Sequence, residues 1–514
     1  MKGARLLIGV LIGPVILALL LWIGGLILEP YLEKKILNQK ISGYQFDSVE
    51  VSVNLFTLSI ALNNVLIKGS DSAETRLYIE KFKASGINPF KLVNGNVSAR
   101  SIAILGIDAF LKPVQSDTLR QASDLSSTKF SLSTGHLSIE VDRFLWMDGS
   151  ARKPDTLYYA EASLSGSKLS WAPEAIKSGI PFLYNQINLT VPYAQMAVFD
   201  SLYCMHIYQL ELDTKDSGIN IDLIHFTTNY GRYEIGEVTG LQRDWLDLSF
   251  EKLILLPVDF NKITSDTSLV AGALHIESFK ARVFKDRRRI FPDKPDTKLP
   301  DALLRSLPVG LSLDSLILHT GDVEYAERAE GSFSEGKVTF KQLQAKIYNV
   351  GNRVDFLKAP TLMQASAMFM DKGYLNASFD IPNPAYEVTY KTTGALHAMP
   401  LKSLNSILPQ SAGAEIASGD LKRLDFNFVY NNDVSDGELA FQYQDLKINL
   451  IDKSDNSEKN FLSALVNVLV VPRDNLAEDK NFKQGEIHTE RDKKKAIFNF
   501  WWKSLFSGFK STIL

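Results

Sequence analysis

From Tyr44 onward the hydrophobic pattern of this 514-residue chain has a period of two, and that period keeps returning along its length. Val49, Val51, Val53 and Leu55 alternate with polar neighbours, and Phe56, Leu58, Ile60 and Leu62 then alternate in the opposite register. Such a switch predicts a bulge or sharp bend that lets a strand keep its apolar face inward. The alternation recurs at Ile102/Ile104, Leu137/Ile139/Val141, Ile219/Ile221/Leu223, Leu311/Leu313, Val338/Phe340, Leu375/Ala377/Phe379/Ile381, Phe426/Phe428/Tyr430 and Leu439/Phe441/Tyr443. The expected fold is mostly β, a meandering and largely antiparallel sheet with turns rich in Gly, Asn and Asp.

Helical spacing is confined to short stretches. Pro30 to Ile41 reads as a helix stopped by Gly43, Pro300 to Leu307 opens on one proline and closes on Pro308, and Leu401 to Leu408 and Phe461 to Val471 are two more. Near the C-terminus, Phe498, Trp501, Trp502, Leu505, Phe506 and Phe509 share a helical face with Lys503 and Lys510 beside them. That face must be covered, either by a membrane interface, with Trp501, Trp502, Lys503 and Phe509 as the interfacial residues, or by docking on the β body. Arg473 to Lys495 before it is charged and reads as a mobile linker.

The longest apolar run is Leu6 to Leu28, 23 residues without a charge. A helix of that length at about 1.5 Å per residue reaches roughly 35 Å, against a hydrocarbon core of about 30 Å. It is too long for a usual signal h-region and no small-x-small site closes it, so an uncleaved anchor is expected over a cleaved signal. Lys2 and Arg5 before it are balanced by Lys34, Lys35 and Lys40 after it, which leaves topology undecided by charge.

Two segments look like joints: the polar Pro113 to Thr128 and the proline-broken Phe291 to Pro300. The second places the main division near residue 297. The expected organisation is an anchor at 1–28, β regions at 29–297 and 298–472, and a charged linker with an aromatic helix at 473–514. Leu137 to Tyr159 and Leu311 to Phe340 resemble each other as hairpin units on either side of that division.

Composition excludes several functions. A net charge of -3, from 56 Lys+Arg and 59 Asp+Glu, leaves no basic footprint for nucleic acid. The single cysteine, Cys204, rules out an internal disulfide framework and reads as a buried inert thiol. The seven histidines stand singly, without paired metal-ligand spacing, and no phosphate-cradling loop or G-x-S-x-G elbow appears. No enzyme, cofactor or metal is expected. The three N-x-S/T triplets, at Asn96, Asn188 and Asn376, are of a kind that arises by chance. Lys285 to Arg289, the densest basic cluster, is read as a solvated loop rather than a site for lipid phosphates.

The segments VSVNLFTLSIALNNVLIKG and INPFKLVNGNVSARSIAILGIDAFLKP resemble the N-terminal region of AsmA-like proteins. GALHAMPLKSLNSILPQSAGAEIASGDLKRLDFNFVYNNDVSDGELAFQYQDLKINL is similar to that family's C-terminal portion, and AIFNFWWKSLFSGFKSTIL to the ending of its shorter Bacteroidota-type members. The resemblance covers more than half of the chain. It implies the fold and function of the TamB/AsmA-type outer-membrane biogenesis proteins: an inner-membrane anchor, a body in the periplasm, and a long curved sheet whose apolar trough carries lipid. The physics agrees, since a two-chain phospholipid with roughly 15 methylenes per chain exposes about 24 kcal/mol of transfer energy at ~0.8 kcal/mol per CH₂.

The expected function is therefore that of a single-pass, inner-membrane-anchored periplasmic protein whose apolar β-groove shields or transfers phospholipid. Val51, Leu58, Ile60, Ile104, Phe340, Phe426, Phe428 and Phe441 are the groove candidates; ordinary sandwich core is the alternative for each. Phospholipid acyl chains, the inner membrane and an outer-membrane or envelope protein are the expected partners. The competing reading is a scaffold that pairs through its sheet edges.

Overall fold

The computed structural model describes residues 23–41, 44–69, 75–94, 96–111, 131–147, 156–171, 182–198, 201–332, 334–353, 359–382, 389–411, 413–450 and 471–513. The chain divides into two compact units, Met1–Asp222 with Thr264–Asp266, and Leu223–Ile263 with Thr267–Leu514. The division falls some 75 residues before the proline joint at residue 297 from which it was expected.

The anchor expectation is corrected. No helix among the described residues is long and apolar enough to cross a membrane. Residues 1–22 of the expected anchor lie outside the described residues, and 23–28 belong to helix α1 (23–37), which carries Glu29, Glu33, Lys34 and Lys35. This helix packs on the sheet: Glu29 accepts the Val53 backbone N–H at 2.7 Å, and Leu32 and Ile36 cover Val49, Val51 and Val65. The inner-membrane-anchored function, the single-pass periplasmic placement and the inner membrane as partner lose their support with it.

The N-terminal unit is built from β1 (Lys40–Ile41), β2 (Tyr44–Asn54), β3 (Ser59–Gly69), β4 (Arg76–Ser85), β5 (Val97–Leu111), β6 (Leu132–Met147), β7 (Thr156–Trp171), β8 (Phe182–Leu183), β9 (Gln186–Val198) and β10 (Tyr203–Asp213). Neighbours in sequence are neighbours in the sheet, except that β7 pairs with both β8 and β9. All pairings are antiparallel but one: β5 and β6 run parallel. Between β4 and β5, Asn88 accepts the Phe90 and Lys91 N–H groups and caps the one-turn helix α2 (Pro89–Val93), with proline where its missing N–H costs nothing.

The register switch at Leu55 to Leu58 is a hairpin, not a bend within a strand. Asn54 pairs with Ser59, the Asn54 side chain accepts the N–H groups of Phe56 and Thr57 at 3.0 Å each, and Leu58 takes a φ of 48°. Asparagine mimics a backbone turn in this way, and that local chemistry outweighs the unbroken apolar alternation.

The C-terminal unit follows β11 (Gly218–Thr228), which straddles the division, and contains α3 (Glu234–Thr239), β12 (Asp244–Val258), α4 (Phe260–Asp266, ending at the division), β13 (Ser268–Asp286), α5 (Pro300–Arg305), β14 (Gly310–Arg328), β15 (Gly336–Gly351), β16 (Thr361–Phe369), β17 (Gly373–Ile381), β18 (Tyr390–Pro400), a 3₁₀ turn (Leu401–Ser406), α6 (Leu408–Ser411), β19 (Ala414–Tyr430), β20 (Val434–Leu450), β21 (Gly485–Glu490) and α7 (Ile497–Ile513). From β12 to β21 each strand pairs with the next, antiparallel except for β13 and β14. Each unit thus carries one parallel step followed by a long hairpin. Both hairpins are those that looked alike in sequence, and the Phe291–Pro300 joint is the crossover that the second parallel step requires.

That crossover measures the curvature of the C-terminal sheet. Ile290 bridges Leu241 beside β12, and Thr297 donates its N–H to Lys493 O at 2.7 Å just beyond β21. Seven residues reach at most about 25 Å. The walk through the sheet from β13 to β20 takes seven steps of about 4.8 Å, roughly 34 Å, so the sheet curls and the crossover spans the chord as a strap. Leu299 of the strap is buried against Tyr390, Tyr430 and other residues of the apolar face, which places the strap on the concave side.

Arg473 to Lys495 is ordered, against expectation. Asn475 exchanges backbone hydrogen bonds with Tyr443 and its amide holds Phe441 O and Lys483 O at 2.8 and 3.0 Å, after which β21 pairs with β20. Helix α7 then docks through a seam of small residues at i, i+4 spacing. Ser504, Gly508 and Thr512 are buried against Ser435, Leu439, Gly485 and Ile487. A Cβ on Gly508 would stand 2.9 Å from that of Leu439. Gly508→Val is expected to destabilise this unit by about 1–3 kcal/mol through overpacking, read as a lower urea midpoint; an unchanged midpoint would mean α7 is not seated there.

Candidate functional site

The alternation read from sequence becomes rows of cross-strand partners. In the N-terminal unit Val51, Leu62, Phe82, Ile104, Ile139, Leu164, Leu189 and Leu212 follow one another across eight strands. A parallel row runs Ile67, Leu77, Ala109, Phe144, Ala160, Ala194 and Ile207. On the opposite face the corresponding row is Ser52, Ala61, Lys83, Ala103, Ser138, Ser165, Asn188 and Asp213. One face is therefore apolar over its full width and the other largely polar.

The apolar face has no second layer among the described residues beyond α1 at its β2–β3 end. Val51 is 8% exposed under α1, whereas every other member of its row is only half-buried. The face ends in Trp146 and Tyr158, an edge-to-face pair at 5.8 Å, 37% and 40% exposed. Aromatic rings with one polar tip suit such a border between apolar surface and water.

In the C-terminal unit the equivalent row is Leu253, Ile276, Leu318, Ala345, Ala365, Ala377, Gly394, Phe426, Leu439 and Gly485. Here the row passes from a floor of small residues into a closed core. Phe426, Phe428 and Phe441 are 7%, 2% and 6% exposed, packed with Phe500, Trp501, Leu505 and Phe509 of α7 and with Leu401 of the 3₁₀ turn.

The groove candidates therefore part company. Ile60 and Ile104 are half-buried on the uncovered face, and Val51 is on it but beneath α1. Leu58 is exposed in the hairpin turn, Phe340 pairs with Phe369 at 5.3 Å, and Phe426, Phe428 and Phe441 are core. Of the interfacial candidates, Trp501 packs on Phe379 at a tilt with ring centroids 4.6 Å apart and Phe509 meets Phe441 edge-on at 5.0 Å, so both face the core. Trp502 is exposed, and Lys503 is half-buried.

Lys285 to Arg289 is a knitted network rather than a solvated loop. Lys285 and Asp286 end β13; Arg288 clasps the buried Asp286 with two bonds of 2.8 and 2.7 Å, Arg287 reaches Glu327 and Arg289 reaches Glu237. The Arg288 side chain holds the Asp286 carboxyl below the usual range, against the opposing effect of burial. A depressed folded pKa stabilises above the unfolded value of about 3.9 and is lost as pH falls through the lower folded value. Asp286→Asn is expected to remove that part of the acid limb in a plot of urea midpoint against pH; an unaltered limb would show the clasp to be inert.

Parallel pairing of β13 and β14 brings His275 and His319 together at 3.2 Å, a proximity that their 44-residue separation concealed. The other five histidines keep apart, and no group of three or more potential ligands for a metal occurs among the described residues. Cys204 is 3% exposed, and burial raises its thiol pKa.

No family model matches the chain and no curated protein matches it. The open, mainly antiparallel sheet of each unit is consistent with the groove fold expected of an AsmA-like protein. Phe428→Ala is expected to cost about 3–5 kcal/mol as a core truncation, and Ile139→Ala on the uncovered face less than half of that, by urea denaturation. Equal losses would mean that the N-terminal face is covered.

Proposed function

We propose that this protein is a non-enzymatic scaffold that shields hydrocarbon chains of lipids along the apolar sheet face of its N-terminal unit. The observation that carries the reading is the row from Val51 to Leu212: eight apolar partners in register across eight strands, seven of them half-buried with no second layer over them among the described residues. Soluble monomers seldom leave a contiguous apolar surface of this extent without a ligand or partner for it. Each methylene laid on it would gain up to ~0.8 kcal/mol, and a row of aliphatic side chains is indifferent to where along it a chain lies. That suits shielding better than recognition. The AsmA-like resemblance supports the same reading.

Native mass spectrometry with lipid extraction on the full-length protein tests it. Lipid is expected to accompany the wild type and to be lost when Ile104, Ile139 and Leu189 are replaced together by aspartate in a protein that keeps its β-sheet circular dichroism. A lipid-free wild type, or lipid retained by the triple variant, would shift the assignment to a scaffold that pairs through its sheet edges.

A further inference from the structure

The parallel pairing of β13 with β14 does more than close the crossover, because it sets two imidazoles face to face. His275 Nδ1 meets His319 Nε2 at 3.2 Å, with the rings 17° from parallel and their centroids 5.5 Å apart. Two neutral imidazoles at that distance share a single hydrogen between the facing nitrogens. Elsewhere an imidazole meets a different kind of group. His225 and His488 face the carboxylates of Asp247 and Asp436 at 2.8 and 2.6 Å, and His206 faces the Tyr193 hydroxyl at 2.9 Å.

Ile276 and Leu318, the residues next to the pair in their strands, belong to the apolar row, so the two imidazoles stand on the opposite face. His319 is exposed and His275 half-buried. In register His275 lies between Ile254 and Ile317, which gives the pair an apolar flank. Glu277 stands opposite His319, between the pairs Ile276–Leu318 and Ser278–Thr320, and is exposed. Directly opposed residues share a face, so a carboxylate adds negative charge beside the two nitrogens.

We infer that His275 and His319 form a two-imidazole binding site for a first-row divalent cation of the class Cu²⁺, Ni²⁺ or Zn²⁺, on the outer face of the parallel β13–β14 step. Metal–nitrogen bonds of about 2.0–2.1 Å put two neighbouring ligand nitrogens about 2.9 Å apart at a square-planar angle and about 3.4 Å apart at a tetrahedral one. The observed 3.2 Å lies between these values, so the strands hold the nitrogens at the bite of a metal without backbone movement. On binding, the imidazole that donated carries its hydrogen on its other nitrogen, and both rings ligate as neutral groups with no net loss of a proton. No group of three or more imidazole, thiol or carboxylate ligands occurs among the described residues, so water completes the coordination. Two protein ligands make an exchangeable site, unlike the four of a structural zinc centre. Imidazole ligation favours Cu²⁺ over Ni²⁺ and Zn²⁺.

The two histidines are 44 residues apart and meet only when β13 and β14 pair. The unfolded chain therefore lacks this chelate, and a bound ion stabilises the folded C-terminal unit by mass action. It acts as a brace across the one parallel step of that unit. This assignment does not depend on the hydrocarbon-shielding role of the N-terminal unit.

Titration of the metal-free full-length protein with copper chloride, followed by electron paramagnetic resonance and calorimetry, tests it in the wild type, His275→Gln, His319→Gln, the double variant and His488→Gln. One equivalent of Cu²⁺ with the hyperfine signature of two imidazole nitrogens is expected. Affinity should fall about tenfold in each single variant, vanish from this site in the double variant and stay unchanged in H488Q. Nickel chloride should raise the urea midpoint of the wild type and leave that of the double variant where it was. Copper bound equally by the double variant, a wild type that binds none, or a wild-type midpoint unmoved by nickel would overturn the site. The substituted side chains point outward, and metal-free urea midpoints identify the variants as folded; the nitrogen count in the wild-type spectrum stands without them. Failure of the shielding role would instead appear as a wild type that carries no lipid, whatever the metals do.

Discussion

A β-sheet that is apolar on one face must find something to set against it, and among the described residues the N-terminal unit does so over only a small part of its width. Helix α1 covers the β2–β3 end, and beyond it the row from Leu62 to Leu212 is left half-buried. An ordinary sandwich would place a second sheet about 10 Å above that row. That arrangement leaves a surface on which hydrocarbon would gain free energy, and it is the feature on which the proposed shielding role rests.

The C-terminal unit meets the same demand differently. Its sheet curls enough for a proline-broken strap to span the chord, and α7 seats on the last strands through Ser504, Gly508 and Thr512. Glycines at 394, 437 and 485 in the partner rows make room for the Phe426 and Phe428 rings and for the helix. The result is a closed core over β18 to β21 and a floor of alanines before it. One pattern of alternation therefore yields two surfaces, one uncovered among the described residues and one sealed by α7 into a core.

Strand positions were legible because a period of two is a direct image of which face is buried. Every alternating segment read from sequence falls in a strand except Leu55 to Leu58, which form a hairpin turn, and α5 and the 3₁₀ turn lie where proline and leucine spacing placed them. What failed was decided by partners distant in sequence. Nothing local marks β5–β6 and β13–β14 as parallel, although the proline-broken Phe291–Pro300 segment that looked like a joint is the crossover the second such step needs; the polar 113–128 segment lies outside the described residues. The charge of 473–495 suggested mobility, but Asn475 and β21 find hydrogen bonds on β20. Phe426, Phe428 and Phe441 alternate as groove residues would; only the docking of α7, with its small-residue seam, makes them core. The contact of His275 with His319 carried no signal at all, since the two lie 44 positions apart.

The uncovered face of the N-terminal unit is tested most directly by photolabelling the full-length protein with a diazirine-bearing fatty acid and mapping the adducts by peptide mass spectrometry. Adducts on the row containing Ile104, Ile139, Leu164, Leu189 and Leu212, and none on Ser138, Ser165 or Asn188 of the opposite face, are expected. Adducts spread over both faces, or confined to the exposed Trp502 and Phe498 of α7, would contradict a hydrocarbon-shielding sheet.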